Sequence, residues 1–257
     1  MKLGVCVDWK KDENLLIAKA AGADYVELNF QSFWQEKPET IAALATRLRQ
    51  LGLDHLAYNG MLPGSLRITG EKKDHAAAQV YLAEQLEKLQ ALPARIVVLG
   101  SCASRMLDGD NTKENAMREM ASFLRDYAAP LLERYGFLCV IEPLSECNFL
   151  RTVQDGLALV RMVDRPCVRL LADFYHVAVC GESLAGYEAY VPYLCHTHIA
   201  ARVGRAYPQK GDEDDYPAIF RALRAASYTG AMSIEAATPL NEEGLRSSLT
   251  FLRHAAL

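Results

Sequence analysis

Nowhere in this chain do about 18 apolar residues run together, which excludes a membrane-spanning helix. Basic residues are not in surplus. Lys and Arg number 28 against 32 Asp and Glu, a formal charge of −4, so there is no field to gather nucleic-acid phosphates and no such partner is expected. No two cysteines form a C-x-x-C pair. The seven, Cys6, Cys102, Cys139, Cys147, Cys167, Cys180 and Cys195, are odd in number and scattered, which excludes a structural zinc finger and predicts reduced thiols in a cytoplasmic protein. The opening MKLGVCVDWK is too short and too polar for the apolar core of a signal peptide. Hydrophobic residues make up 51% of the 257 and charged residues 23%, the balance of a globular chain. With no linker or low-complexity tract, one domain over 1–257 is expected.

What is present is alternation. Short apolar runs over Leu3 to Asp8, Tyr25 to Asn29, His55 to Asn59, Arg95 to Gly100, Leu138 to Glu142, Val168 to Asp173, Cys195 to Ile199 and Ala231 to Glu235 read as strands. Segments with helical spacing follow them: Glu13 to Ala21, Glu39 to Leu51, Asp74 to Leu92, Lys113 to Tyr135, Val153 to Val163, Leu184 to Tyr193, Tyr216 to Ser227 and Glu242 to Ala255. Gly22, Gly52 and Gly136 supply stop signals. Eight βα units of this size predict a closed (β/α)8 TIM barrel of the α/β class. An open doubly wound sheet is the alternative, but Asp8-Trp9-Lys10 stands where a G-x-G-x-x-G would follow the first strand.

Such a barrel places its active site where the strands end. On the last four strands the final polar residues are Glu142, Asp173, His198 and Glu235. Any one carboxylate there reads as an ordinary helix cap. Together, three carboxylates in one mouth repel one another unless a cation joins them, so the set is expected to hold one divalent ion: Mn²⁺, Mg²⁺, Co²⁺ or Zn²⁺. His196 lies on the same face as His198 but a layer deeper, as a hydrogen-bonded supporting group. His176 falls on the loop leaving the sixth strand and reads equally as a substrate contact or as a partly exposed loop residue. His55, His75 and His254 read as structural or surface residues.

The runs IEPLSECNFLRT from Ile141, LLADFYH from Leu170, HTHIAARVGRAYP from His196 with GDEDDYPAIFRAL after it, and SIEA from Ser233 resemble the sugar isomerase and epimerase family with a xylose-isomerase-like TIM barrel. Within it, they are most similar to ketose 3-epimerases of the D-tagatose and D-psicose type. The resemblance is specific over residues 138 to 240 and weaker before, at MLPGSLRITG from Met61 and GSCASR from Gly100. It implies that Glu142 and Glu235 bind the metal and act as acid and base on opposite faces of the sugar, with Asp173 and His198 completing the metal shell. It further implies that His176, Arg205 and Glu146 contact substrate. The spacing from His198 to Arg205 is one residue longer than the resemblance suggests, which leaves Arg202 as a rival, and the loop from Glu142 to Glu146 is two residues shorter.

The chemistry expected is proton abstraction beside a carbonyl and return through a metal-stabilised enediolate. Return to the other face epimerises, whereas return to the neighbouring carbon isomerises, so the ligands alone leave an aldose–ketose isomerase open. A metal-dependent dehydratase resembling the 3-dehydroshikimate dehydratases is a further alternative, although a carboxylate substrate calls for more basic residues than Arg105, Arg202 and Arg205. An apurinic-site endonuclease needs more than six histidines and a positive surface, and a non-catalytic sugar-binding barrel would have lost ligands. Ala200 to Gly204 and Ala236 to Leu240 hold one glycine and form no phosphate cradle, which favours a free sugar or polyol. Trp9, Phe33, Trp34 and Tyr58 are candidates to line the entrance. The resemblance leaves a homo-oligomer open.

Overall fold

The computed structural model describes all residues from Met1 to Leu257. Eight strands, β1 (Leu3–Val7), β2 (Tyr25–Asn29), β3 (Asp54–Asn59), β4 (Ile96–Leu99), β5 (Leu138–Ile141), β6 (Val168–Asp173), β7 (Leu194–Ile199) and β8 (Ala231–Ile234), pair in parallel in chain order. The last returns to the first, Leu3 to Val5 against Met232 to Ile234, and closes the barrel. No helix is long and apolar enough to cross a membrane.

Most helices lie where their periodicity predicts, because each pairs an apolar stripe with a defined stop. Pro38–Leu51 begins with proline in its first turn and ends at Gly52, whose φ of 56° gives the left-handed cap. Val153–Val163 opens with a capping box between Thr152 and Asp155. The predicted helix Lys113 to Tyr135 is continuous but winds as a π-helix over Phe123–Ala128. One prediction fails. Leu184 to Tyr193 holds only the single 3-10 turn Tyr187–Ala189, entered through Gly186 at φ 83°, and the helix after β6 is instead Phe174–Cys180. Its N-cap is Asp173, whose carboxylate accepts from the Tyr175 amide at 2.9 Å, a cap that starts the helix immediately after the strand.

Inside the barrel, side chains repeat with a period of two, so the residue topping each inward column is fixed by the one below it. Val140 lies below Glu142, Leu171 below Asp173, His196 below His198 and Ser233 below Glu235. In the lower layer the Tyr25 ring packs over Gly4, where a Cβ would stand 2.4 Å from the ring carbons, and its hydroxyl meets Ser233 Oγ at 2.9 Å. Glycine at position 4 therefore leaves the width that an aromatic ring needs inside the barrel.

The expectation of uniformly reduced cysteines does not hold. Cys102 and Cys147 are joined in a disulfide, 45 residues apart in sequence with Cα atoms 5.7 Å apart, and the other five are thiols. Strands β4 and β5 are neighbours, so the loops leaving them run side by side, a proximity that cysteine spacing in the sequence does not encode.

Candidate active site

Ligand atoms of Glu142, Asp173, His198 and Glu235 all lie within 4.8 Å of one another. His198 Nδ1 meets Glu142 Oε1 at 2.9 Å and Glu235 Oε2 at 3.6 Å. Asp173 and His198 are almost wholly buried, while Glu235 opens to the cavity. Burial pushes the Glu142 carboxyl up, opposed by the His198 imidazole and reinforced by the Glu235 charge. Asp173 is pushed up to about 7 by burial and by the charge of Glu142. Burial also acts to raise Glu235, but His198 and Arg205 hold it below the usual carboxylate range. These groups compete for protons because three carboxylates share one small volume. A divalent cation would take the place of those protons, and three carboxylate oxygens with one imidazole nitrogen are a donor set suited to it.

Below them is a support that the sequence reading did not single out. Glu27, fully buried on β2, accepts from His196 Nε2 at 2.8 Å and from Ser233 Oγ at 2.7 Å, and meets His198 Nε2 at 3.1 Å. Burial acts to raise its carboxyl, yet His198 and His196 beside it hold it well below the ordinary value. Burial likewise works against charge on His198, but Glu27, Glu235 and Glu142 outweigh it and raise its pKa well above the ordinary value. An ionised Glu27 thus fixes a proton on His198 Nε2 and leaves Nδ1 facing the carboxylate cluster. The signal was available, since Glu27 is the one charge in the strand YVELN, set between Val26 and Leu28, which predicts a paired carboxylate facing inward.

Arg205 donates to Asp173 Oδ2 at 3.3 Å and to Glu235 Oε2, from a backbone at φ 47°. Its guanidinium also lies over the Tyr175 ring, 4.8 Å from the centroid. Arg202 points elsewhere, to Glu213 at 2.8 Å, so the geometry brings Arg205 to the cluster and leaves its rival outside. His176 is buried within the helix Phe174–Cys180, and the partly exposed loop reading does not hold. Its Nδ1 accepts from the Ser145 amide at 3.2 Å, while Nε2 is buried without a hydrogen-bond partner and lies 3.5 Å from Asp173 Oδ2. Burial lowers its pKa to about 4, against the opposing charge of Glu146, so His176 is a neutral ring that presents an N–H at Nε2. Glu146, about half exposed, lines the cavity 3.3 Å from His176 Nδ1. Arg105, in the turn after β4, is fully buried and donates to the Glu142 carbonyl at 2.6 Å.

The cavity above the cluster has a volume of about 360 Å3. Of the aromatic residues expected at its entrance, Trp9, Phe33 and Tyr58 belong to the core, with Trp9 stacked on Phe33 at 4.8 Å. Trp34 lines a separate apolar groove beside Tyr81. Sequence spacing places all four near strand ends but does not say which way a ring turns.

Gly100, just after β4, closes the wall against Glu142. A Cβ there would stand 1.9 Å from Glu142 Oε2. Gly100→Ala is expected to displace that carboxylate, weakening divalent-metal binding at least about tenfold with little change in thermal midpoint, because the far end of a side chain yields more readily than backbone. Isothermal titration with Mn²⁺ checks this, and unchanged affinity would remove Glu142 from the ligand set.

The family model described as Xylose isomerase-like TIM barrel matches residues 15–255. The chain belongs to the xylose isomerase-like TIM barrel family. It is 25% identical over 230 residues to a human putative hydroxypyruvate isomerase, covering 85% of this chain and 80% of that protein. It is 27% identical over 231 residues to an L-ribulose 3-epimerase of Methylomonas sp. (strain DH-1), covering 85% and 75%. Its fold superposes on that of D-psicose 3-epimerase crystallised in the presence of D-fructose with a TM-score of 0.85 at 19% identity, over 100% of this chain and 99% of the other. Within this family the named relatives are isomerases and epimerases, and the four-residue cluster stands where the barrel's strands end.

Proposed function

We propose that the chain is a divalent-metal-dependent epimerase that inverts a carbon beside the carbonyl of a ketose. The observation that carries this reading is the pair Glu142 and Glu235, which rise from β5 and β8 and face one reacting volume together with Asp173 and His198. These four residues would hold the cation. When bound, it would draw electron density from a substrate's carbonyl and hydroxyl oxygens and make the adjacent C–H acidic.

The chain's own groups supply the proton transfers. One glutamate takes the proton from the carbon and the other returns a proton from the opposite face, which inverts the centre. Arg205, already against Glu235, holds that carboxylate ionised and aimed, and is placed to donate to a substrate oxygen. His176 offers its unpaired Nε2–H to an oxygen of the same substrate. Glu146 is exposed enough to accept from a hydroxyl at the cavity mouth.

Proton NMR of free ketoses incubated in D2O with Mn²⁺- or Mg²⁺-loaded protein tests the reading. Deuterium is expected at the inverted carbon together with the new epimer, stopping on chelation and returning when the ion is restored. Aldose–ketose conversion without solvent deuterium would replace epimerisation by a hydride shift.

A further inference from the structure

The wall opposite the carboxylates is built of neutral amides and a hydroxyl. Asn29 ends β2 and Asn59 ends β3, with Gln31 following the first and Ser101 standing in the loop after β4. They are braced by one another and by the backbone. Asn29 Nδ2 donates to Asn59 Oδ1 at 3.1 Å, Asn29 Oδ1 accepts from the Ser32 amide, and Gln31 Nε2 donates to the carbonyls of Gly60 and Leu62. Ser101 Oγ accepts from the Leu62 amide at 3.0 Å. This bracing leaves Gln31 Oε1 and the Ser101 hydroxyl hydrogen with no bond to a protein oxygen or nitrogen, and Asn59 Nδ2 with only the Cys6 thiol beside it, all on residues lining the cavity.

The charges around the same cavity are one-sided. Arg205 is the one cation in the lining, and it already meets two carboxylates. The other charged residues in the lining, Glu142, Glu146 and Glu235, are all acidic, so no cation stands there that a carboxylate does not already answer. A phosphate ester or a 2-oxo acid would bring further negative charge into this field. It would also find no free cation on the far wall and would leave Gln31 Oε1, an acceptor, unanswered. A hydroxyl both donates and accepts, so a chain of hydroxyls satisfies all three open groups.

We infer that this site selects an uncharged polyhydroxy ketone over its phosphate esters and over 2-oxo acids, with Asn59, Gln31 and Ser101 binding the hydroxyls away from the reacting carbon. The inference rests on the proton-transfer chemistry proposed above. The selection separates two kinds of substrate that the carboxylate cluster would process alike, because the cluster touches the reacting carbons and the amide wall touches the rest.

The test follows solvent deuterium into D-fructose, D-tagatose, D-fructose 6-phosphate and hydroxypyruvate with the metal-loaded protein. The expected result is a kcat/KM for a free ketohexose at least about a hundredfold above that for either anion. Faster exchange into the phosphate or the oxo acid overturns the inference and leaves the proton-transfer reading standing, whereas no exchange into any of the four overturns both. Asn59→Asp keeps the acceptor for Asn29 while removing the donor, and is expected to raise KM for the ketose about tenfold, the loss of one hydrogen bond, with kcat nearly unchanged. An unchanged KM in a protein of unaltered melting temperature would show that the amide wall does not read the sugar.

Discussion

Exchanging Glu235 for Gln is expected to lower kcat for epimerisation by about three orders of magnitude, the scale of a positioned acid–base group. The substitution conserves shape, and the amide retains an oxygen to face Arg205, so the barrel should persist with a melting temperature close to that of the parent. What is lost is the ability to carry a proton. Glu235 is the more accessible of the paired glutamates, and Arg205 and His198 hold it below the usual carboxylate range against the effect of burial, so it is ionised and ready to accept. Glu142 is pushed the other way, which gives the pair one poised base and one poised acid in the absence of an ion. Stopped assays at saturating metal separate a lost proton carrier from a weakened ligand: turnover that stays low when the ion is saturating is the expected outcome. Undiminished metal-dependent turnover would sink the two-carboxylate mechanism.

The second large effect is expected at a residue that touches neither substrate nor cation. Glu27→Gln should weaken divalent-metal binding between about 10- and 100-fold, as loss of a partner that orients a ligating histidine does. It should also destabilise the fold, on the order of 3 kcal/mol, because His196, His198 and Ser233 all converge on this carboxylate in a fully buried place. The neutral amide presents an N–H as readily as an oxygen and no longer dictates which nitrogen of His198 carries the proton. Metal titration by calorimetry reads the first effect and thermal unfolding the second. Activity should recover to within about tenfold of the parent at high metal concentration, since the proton-transfer groups are intact. An affinity equal to that of the parent would reduce Glu27 to a packing residue.

Glu142, Asp173, His198 and Glu235 were legible because strict βα alternation converts sequence position into place: the last polar residue of a strand in a closed barrel has one mouth to enter. Asn59 obeys the same rule, yet no run of residues around it resembles a motif, whereas Glu27 lies two residues before the end of β2, where a lone charge calls for a buried partner without saying that the partners are imidazoles on β7. The Cys102–Cys147 bond was hidden for a related reason, since it joins loops brought side by side by neighbouring strands. Leu184 to Tyr193 has the composition of a helix but is cut by Gly186 in a left-handed turn, and Asp173 had already capped a helix earlier in the chain. Periodicity measures what a segment favours alone, and capping decides where the chain commits.

The order of strands around the barrel divides labour along the chain. The proposed proton carriers and cation ligands stand at the ends of β5 through β8, while the open amides and the hydroxyl come from β2, β3 and the turn after β4. Glu27 from β2 and Arg105 from the turn after β4 are the first half's braces for the second, one against His198 and the other against the Glu142 carbonyl. A chain so divided can acquire a new substrate by exchanging strand ends and loops in its first half while the four-residue cluster stays as it is, but recombination near the start of β5 would keep that cluster braced only between relatives that both carry the buried glutamate of β2.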